Sequence, residues 1–198
     1  MNTRQAEFFF DVGSPASYLA WTQLPAICAA AGAELLLRPM LLGAVFQASG
    51  NASPITVPAK GRYIMRDFQR YARRYGVPLL INPHFPINTL VLMRGAAGLQ
   101  REQPERLDAY LRCVFEAIWV HGLNMNDPAE VARVLAAAGL DAAALLALAN
   151  ADATKAALRA STDEAVARGV FGAPSIFVGG ELFFGQDRLD WVREALAG

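Results

Sequence analysis

Residues Glu7 to Val12 read EFFFDV, a short apolar run that ends at Gly13 and is followed at once by Ser14-Pro15. A short apolar run closed by a glycine has the pattern of a buried strand. Serine is a favoured helix N-cap and proline suits the first helical position, so a helix should start at Ser14. The stretch Ala16 to Ala31 (ASYLAWTQLPAICAAA) contains no charged residue. A helix without a polar face is predicted to be nearly enclosed. Pro25 should kink it, Gly32 should end it, and Glu34 to Met40 (ELLLRPM) should form a second strand. Strand, helix and strand in this order make a parallel β-α-β unit, with the right-handed crossover such units take.

Downstream, Leu41 to Lys60 is rich in loop formers, with Gly43, Gly50, Asn51, Pro54 and Pro58, and Gly61 to Tyr75 reads as a helix. Three prolines make the segment from Gly76 to Pro86 irregular. From Asn88 to Arg168 the pattern is helical throughout, broken near Pro104, His121-Gly122, Asp127-Pro128, Gly139 and Asn150. That block is too long for a simple crossover and contains no strand pattern, so it reads as an all-α insertion. Ser175 to Val178 (SIFV), Gly179-Gly180 and Glu181 to Phe184 (ELFF) give a hairpin signal. Asp187 is the expected cap of a last helix ending near Leu196. The fold class is α/β: a thioredoxin-like fold with a large all-helical insertion between a β-α-β half and a β-β-α half. Residues 1–60 and 169–198 form the thioredoxin-like part, and residues 61–168 the helical subdomain.

Several function classes are disfavoured. Lys plus Arg number 18 and Asp plus Glu 18, so no basic excess marks a nucleic-acid binder. The local exception, residues 62–75 (RYIMRDFQRYARRY), reads as a solvated helix face with its aromatics turned inward. No apolar run approaches the roughly 20 residues of a membrane span. The first residues, MNTRQAEFFFD, hold too short an apolar run for a signal peptide, so a cytoplasmic location is expected. Cys28 and Cys113 lie far apart among apolar residues, as buried reduced thiols do. No metal-ligand spacing is present.

Three short segments carry possible chemistry. In thioredoxin-like oxidoreductases a CxxC pair sits at the start of the first helix, where the helix dipole and free N–H groups favour thiolate. Here that place reads Ser14-Pro15-Ala16-Ser17. Disulfide exchange requires thiolate attack, which neither serine supplies. Ser14 is then either a plain N-cap or a hydrogen-bond donor to a bound group. Gly172-Ala173-Pro174-Ser175 precedes the third strand, where thioredoxin-like folds place a cis proline; the alternative is an ordinary strand-entry proline. Gly185-Gln186-Asp187 opens the last helix, where a carboxylate ligand is well held. His84 and His121 are loop histidines, with His84 also a possible polar group at a substrate pocket. Tyr18, Phe85 and Trp119 belong to core packing or to an aromatic wall.

The segments FFFDVGSPASYLA, LRPMLLGAVFQASGN, VPAKGRYIMRDF, HFPINTL and RGVFGAPSIFVGGELFFGQDRL make the chain similar to the 2-hydroxychromene-2-carboxylate isomerases, relatives of kappa-class glutathione transferases and of DsbA. The resemblance implies glutathione as cofactor, with Ser14 bonding its sulfur and holding it as thiolate. Ala173 matches the residue whose backbone pairs with the cysteinyl part, and Gln186 and Asp187 match positions holding the γ-glutamyl end. Asn51 matches an asparagine near the ligand, and Lys60 and Arg62 fall in the matching basic loop. The isomerases commonly carry a lysine where this chain has Gln47, so Gln47, Lys60 and His84 are the candidate substrate contacts. The implied activity is isomerisation of 2-hydroxychromene-2-carboxylate to trans-o-hydroxybenzylidenepyruvate in aromatic-compound catabolism. A kappa-like transferase or peroxidase, and a non-catalytic thioredoxin-like binding protein, are the alternatives. The implied partner is a small aromatic molecule, with no nucleic acid or membrane; relatives are often homodimers.

Overall fold

The computed structural model describes residues 4–198; residues 1–3, part of the expected thioredoxin-like segment, lie outside the described residues. β1 (Gln5–Phe10), α1 (Pro15–Ala30) and β2 (Glu34–Pro39) form the expected β-α-β unit, with β1 and β2 in parallel register from Gln5↔Glu34 to Phe10↔Pro39. β3 (Ser175–Val178) and β4 (Glu181–Phe184) form the hairpin, and β3 runs antiparallel to β1. The sheet order is β2-β1-β3-β4. Successive strand residues face opposite sides, and the three phenylalanines of β1 use both. Phe8 and Phe10 stack 5.1 Å apart in the main core. Phe9 packs in a second cluster with Met40, Val45, Val170 and Phe177.

Residues 88–168 hold α4 (Leu90–Glu102), α5 (Leu107–Trp119), α6 (Pro128–Ala137), α7 (Ala142–Asn150) and α8 (Asp152–Ala167), with no strand among the described residues. This block is tied to the sheet beside Ser14: the Trp119 indole N–H donates to the Val12 carbonyl at 2.8 Å, and Trp119 is fully buried. No helix among the described residues is long and apolar enough to cross a membrane.

The structure corrects four local expectations. The loop-rich segment Leu41–Lys60 contains α2 (Leu42–Ser49), because Gly50, at φ 71°, ends that helix as a left-handed C-cap. α3 runs Pro58–Tyr75 rather than from Gly61, with Pro58 at its first position, so the expected boundary between residues 60 and 61 falls inside a helix. α1 is buried continuously only from Pro15 to Trp21; Pro25, Ala26, Ala29 and Ala30 are exposed. An uncharged run therefore overstated enclosure, since alanine tolerates solvent. Asp187 does not cap the last helix. It lies inside a 3-10 turn, Gln186–Arg188, that leads into α9 (Leu189–Ala197), and no side-chain cap bond forms at either start. Its carboxylate pairs with Arg188 instead.

On the face of the sheet away from α1, Arg168 grips the Glu7 carboxylate with two bonds of 2.7 and 2.9 Å and lies 3.9 Å from the Phe177 ring centroid. The bond to Arg168 holds the Glu7 pKa below its ordinary 4.5. A depressed carboxylate pKa gives stability that is present above 4.5 and lost as pH falls through the depressed value. Arg168→Met should therefore lower unfolding stability by about 1–2 kcal/mol at pH 7. The deficit should shrink as pH is lowered below 4.5, read by urea titration at several pH values. A deficit that is constant with pH would assign the loss to packing on Phe177 alone.

Candidate active site

A cleft of about 700 Å3 opens where the loops at one edge of the sheet meet α3. It brings together Ser14, Asn51, Lys60, Ala173, Gln186 and Asp187. Its lining also includes the apolar residues Phe46, Ile55, Tyr63, Ile64, Phe68 and Phe85.

Ser14 is the N-cap of α1, in extended backbone at φ −97° and ψ 117°. Its hydroxyl accepts from the Ser17 N–H at 3.1 Å and donates to the Ala173 carbonyl at 3.1 Å. It is only 5 % exposed. Neither partner is a base, so Ser14 is not an activated nucleophile. It is a neutral donor at a helix start, with a proton that rotation can redirect from the Ala173 carbonyl to a ligand in the cleft. Ala173-Pro174 is cis, as expected. Among the described residues the Ala173 N–H has no partner, and Ala173 lines the cleft with Ser14.

The third segment is held by backbone geometry. Gly185 sits at φ 105° and ψ 155°, a region closed to side-chain-bearing residues. Its N–H donates to the Pro174 carbonyl at 3.0 Å, which locks the turn to the cis-proline segment. The Tyr75 hydroxyl of α3 donates to the Gln186 carbonyl, and Gln186 is 6 % exposed. Burial pushes the Tyr75 pKa up to about 12, so it remains a donor. The N–H groups of Gln186 and Asp187 have no backbone partner among the described residues. Asn51 uses its side chain on the rim: its Nδ2 donates to the Phe171 carbonyl at 2.8 Å and its Oδ1 accepts from the Ala52 N–H at 2.8 Å.

Gln47 and His84 are exposed and do not line the cleft. Lys60 does line it, from the first turn of α3, and makes no ion pair among the described residues; Arg62 is exposed beside it. Of the three aromatics considered, Phe85 lines the cleft, whereas Tyr18 donates to the Pro78 carbonyl at 2.9 Å and Trp119 is core. His121 is exposed. Sequence reasoning missed Asp11. This residue is 2 % exposed, and its carboxylate accepts from the Gly13 N–H and the Leu42 N–H, each at 2.9 Å. It thereby braces the Ser14 turn against the start of α2, whose Leu42 and Phe46 wall the cleft. An acid at the end of an otherwise apolar strand was the available signal. Burial raises its pKa. Burial likewise raises the Cys28 pKa and pushes Cys113 up to about 11, so neither thiol is thiolate at neutral pH.

A family model of the DSBA-like thioredoxin domain matches residues 5–197. The chain belongs to this family. The 2-hydroxychromene-2-carboxylate isomerase of Sphingobium xenophagum is 33% identical over 196 residues, covering 98% of both chains. The glutathione S-transferase kappa 1 of Rattus norvegicus is 31% identical over 199 residues, covering 94% of this chain and 88% of the transferase. A solved 2-hydroxychromene-2-carboxylate isomerase superposes with a TM-score of 0.85 at 29% identity, covering 97% of this chain and 94% of that one. Pseudomonas aeruginosa DsbA shares the fold at a TM-score of 0.62 and 19% identity, over 98% of this chain and 82% of DsbA. The chain is thus a thioredoxin-like family member similar to isomerases and kappa-class transferases. At the helix start where DsbA-type oxidoreductases need a thiol pair it carries Ser14 and Ser17.

Proposed function

We propose that the protein is a glutathione-dependent isomerase that converts 2-hydroxychromene-2-carboxylate to trans-o-hydroxybenzylidenepyruvate, acting in the cytoplasm in aromatic-compound catabolism. The observation that carries this reading is the Ser14 hydroxyl, set at a helix start beside the unpaired Ala173 N–H, in a cleft lined by both polar and apolar residues. The polar residues fit glutathione. The Ala173 N–H offers a backbone partner for the cysteinyl unit. The Gln186 and Asp187 N–H groups suit the γ-glutamyl carboxylate, and the Asp187 carboxylate, shared with Arg188, suits its ammonium. Lys60, which makes no ion pair among the described residues, is a cation suited to a substrate carboxylate. Glutathione, when bound, would supply a nucleophilic thiolate that is regenerated in the cycle, so that none would be consumed.

The chain's own residues orient and stabilise. Ser14 turns its proton from the Ala173 carbonyl toward the sulfur and favours the anion. With the α1 N-terminus it can lower a thiol pKa by one or two units, each worth about 1.4 kcal/mol. Phe46, Ile64, Phe68 and Phe85 take a flat two-ring substrate and keep water from it. The cleft's volume, about 700 Å3, is in the range that holds two small ligands together. The likeness to the rat kappa transferase favours a second reading, in which the same thiolate attacks an electrophile and leaves as a conjugate. Incubation with hydroxychromene carboxylate separates the two. Product formation with free glutathione constant supports isomerisation; stoichiometric loss of glutathione supports transfer; no turnover and no binding leave a thioredoxin-like binding protein.

Asp187→Asn tests the γ-glutamyl end. It removes a charge, and since Asp187 caps no helix and its ion pair with Arg188 is solvent-accessible, the melting temperature should barely move. Glutathione affinity should fall about 5- to 30-fold, the scale of 1–2 kcal/mol for a bond to a charged group. Calorimetric titration alongside a thermal melt checks this, and unchanged affinity would remove Asp187 from the site.

A further inference from the structure

A second cavity, of about 360 Å3, lies inside the helical block and shares no lining residue with the cleft at Ser14. It lies among α4, α6 and α7, over the ring of Tyr110 from α5. Its floor is closed: Tyr110 is 2 % exposed, Leu92 3 %, Leu135 4 % and Ala149 1 %. Gly95 lets the Tyr110 hydroxyl end press against the backbone of α4, where an added Cβ would collide with it, so the ring forms part of the cavity wall. Ala132 of α6 and Ala149 of α7 line it with short side chains. Tightly packed interiors hold few voids of this size.

The lining selects a chemical class. No charged residue touches the cavity, so a bound ion would lose its hydration without a partner. Tyr110 already donates its proton to the Leu92 carbonyl at 2.7 Å. The mouth is different. Asn126 Oδ1 accepts from the Asn88 N–H at 2.8 Å and Asn88 Oδ1 accepts from the Leu90 N–H at 3.2 Å, which turns both amide oxygens inward to the backbone. Among the described residues neither amide NH2 has an acceptor. Both asparagines are exposed lining residues, so the rim carries two amide donors without a protein acceptor beside an apolar, closed floor.

We propose that this cavity is a second small-molecule site, for an uncharged two-ring aromatic compound that carries one carbonyl acceptor. The rings lie against Tyr110, Leu92 and Leu135, and the carbonyl accepts from Asn88 and Asn126. An apolar cavity of roughly 150 Å3 takes a benzene ring, and this one has the room for a fused pair with a short substituent. The site is independent of glutathione and of the cleft.

The test uses 2-acetylnaphthalene and the full chain, followed by methyl and amide chemical shifts. Saturable binding is expected with a Kd on the order of 0.1–1 mM. Shifts should centre on Leu92, Ala132, Leu145 and Ala149. Ala132→Phe, which fills the mouth side, should weaken binding at least tenfold. Leu146→Arg, at an exposed rim position, is a second variant that tolerates the change and should also weaken it. Shifts confined to Phe46, Ile64 and Phe85, or binding unaffected by either variant, overturn the proposal. So does a concentration-dependent dimer that Ala132→Phe dissociates while the probe fails to bind, since the cavity would then be a contact between two copies.

Discussion

Ser14→Ala is expected to slow turnover roughly 10- to 100-fold, the scale of one lost charge-assisted hydrogen bond of about 1.5–3 kcal/mol. The pH–rate profile should move to higher pH, because a thiol without the serine donor needs more alkaline solution to ionise. The same substitution removes the α1 N-cap and leaves the Ser17 N–H without its acceptor, so a stability loss of about 1 kcal/mol accompanies it. The two effects separate with Ser14→Gly. Glycine replaces a capping serine at a cost of only a few tenths of a kcal/mol, yet it lacks the hydroxyl as fully as alanine does. Both variants should therefore share the slow rate and the shifted profile while differing in melting temperature. Turnover that follows the melting temperature instead would make Ser14 a cap and nothing more. Ser14→Cys should not produce an efficient disulfide oxidoreductase. Ser17 provides no resolving thiol, and burial keeps the Cys28 thiol protonated.

Asp11→Ala should be the most destabilising of the polar substitutions, by about 2–4 kcal/mol, since it strips acceptors from two part-buried backbone N–H groups at once. Part of that loss is offset by removing a buried charge. Asp11→Asn keeps one acceptor but turns an NH2 toward the other N–H, so it should also destabilise, by less than alanine. The pH dependence gives the sharper test. Burial raises the Asp11 pKa above its ordinary 3.8. A carboxyl whose folded pKa is raised contributes stability that is fully present below 3.8 and is lost as pH rises through the folded value. The Asp11→Asn variant lacks that component. Its stability deficit against the parent should be largest at acid pH and should narrow toward neutrality. Denaturant titrations between pH 4 and 8 read it directly, and a deficit that widens with pH would contradict the burial-dominated shift. Glu7 has the opposite sign, so its variants should show the mirror-image trend.

Much of this molecule was legible because local signals agreed with one another. The phenylalanine run, the Ser14-Pro15 cap and the charge-free helix specify a strand and a buried helix start on propensity and patterning alone. The glycine pair between SIFV and ELFF specifies the hairpin. The signals failed where a residue serves two structures. Gly50 and Pro58 read as loop formers, yet they end one helix and start the next. Asp187 reads as a cap, yet Gly185 turns the chain so that its carboxylate meets Arg188 instead.

The chain's own order of residues determined the parallel β-α-β unit, the hairpin, the helical block between them and the absence of a thiol pair at the first helix start. These rest on periodicity and on residue chemistry, which act over a few neighbours. Only the tertiary structure decided that Asn51, Lys60, Ala173, Gln186 and Asp187 face Ser14 in one cleft while Gln47 and His84 stay outside it. It also decided that Asp11 is buried under the cleft and that residues on separate helices line a second cavity. Those facts depend on contacts between segments as far apart as 159 residues, as for the Ser14 hydroxyl and the Ala173 carbonyl. Packing sets such contacts, and no local pattern of residues encodes them.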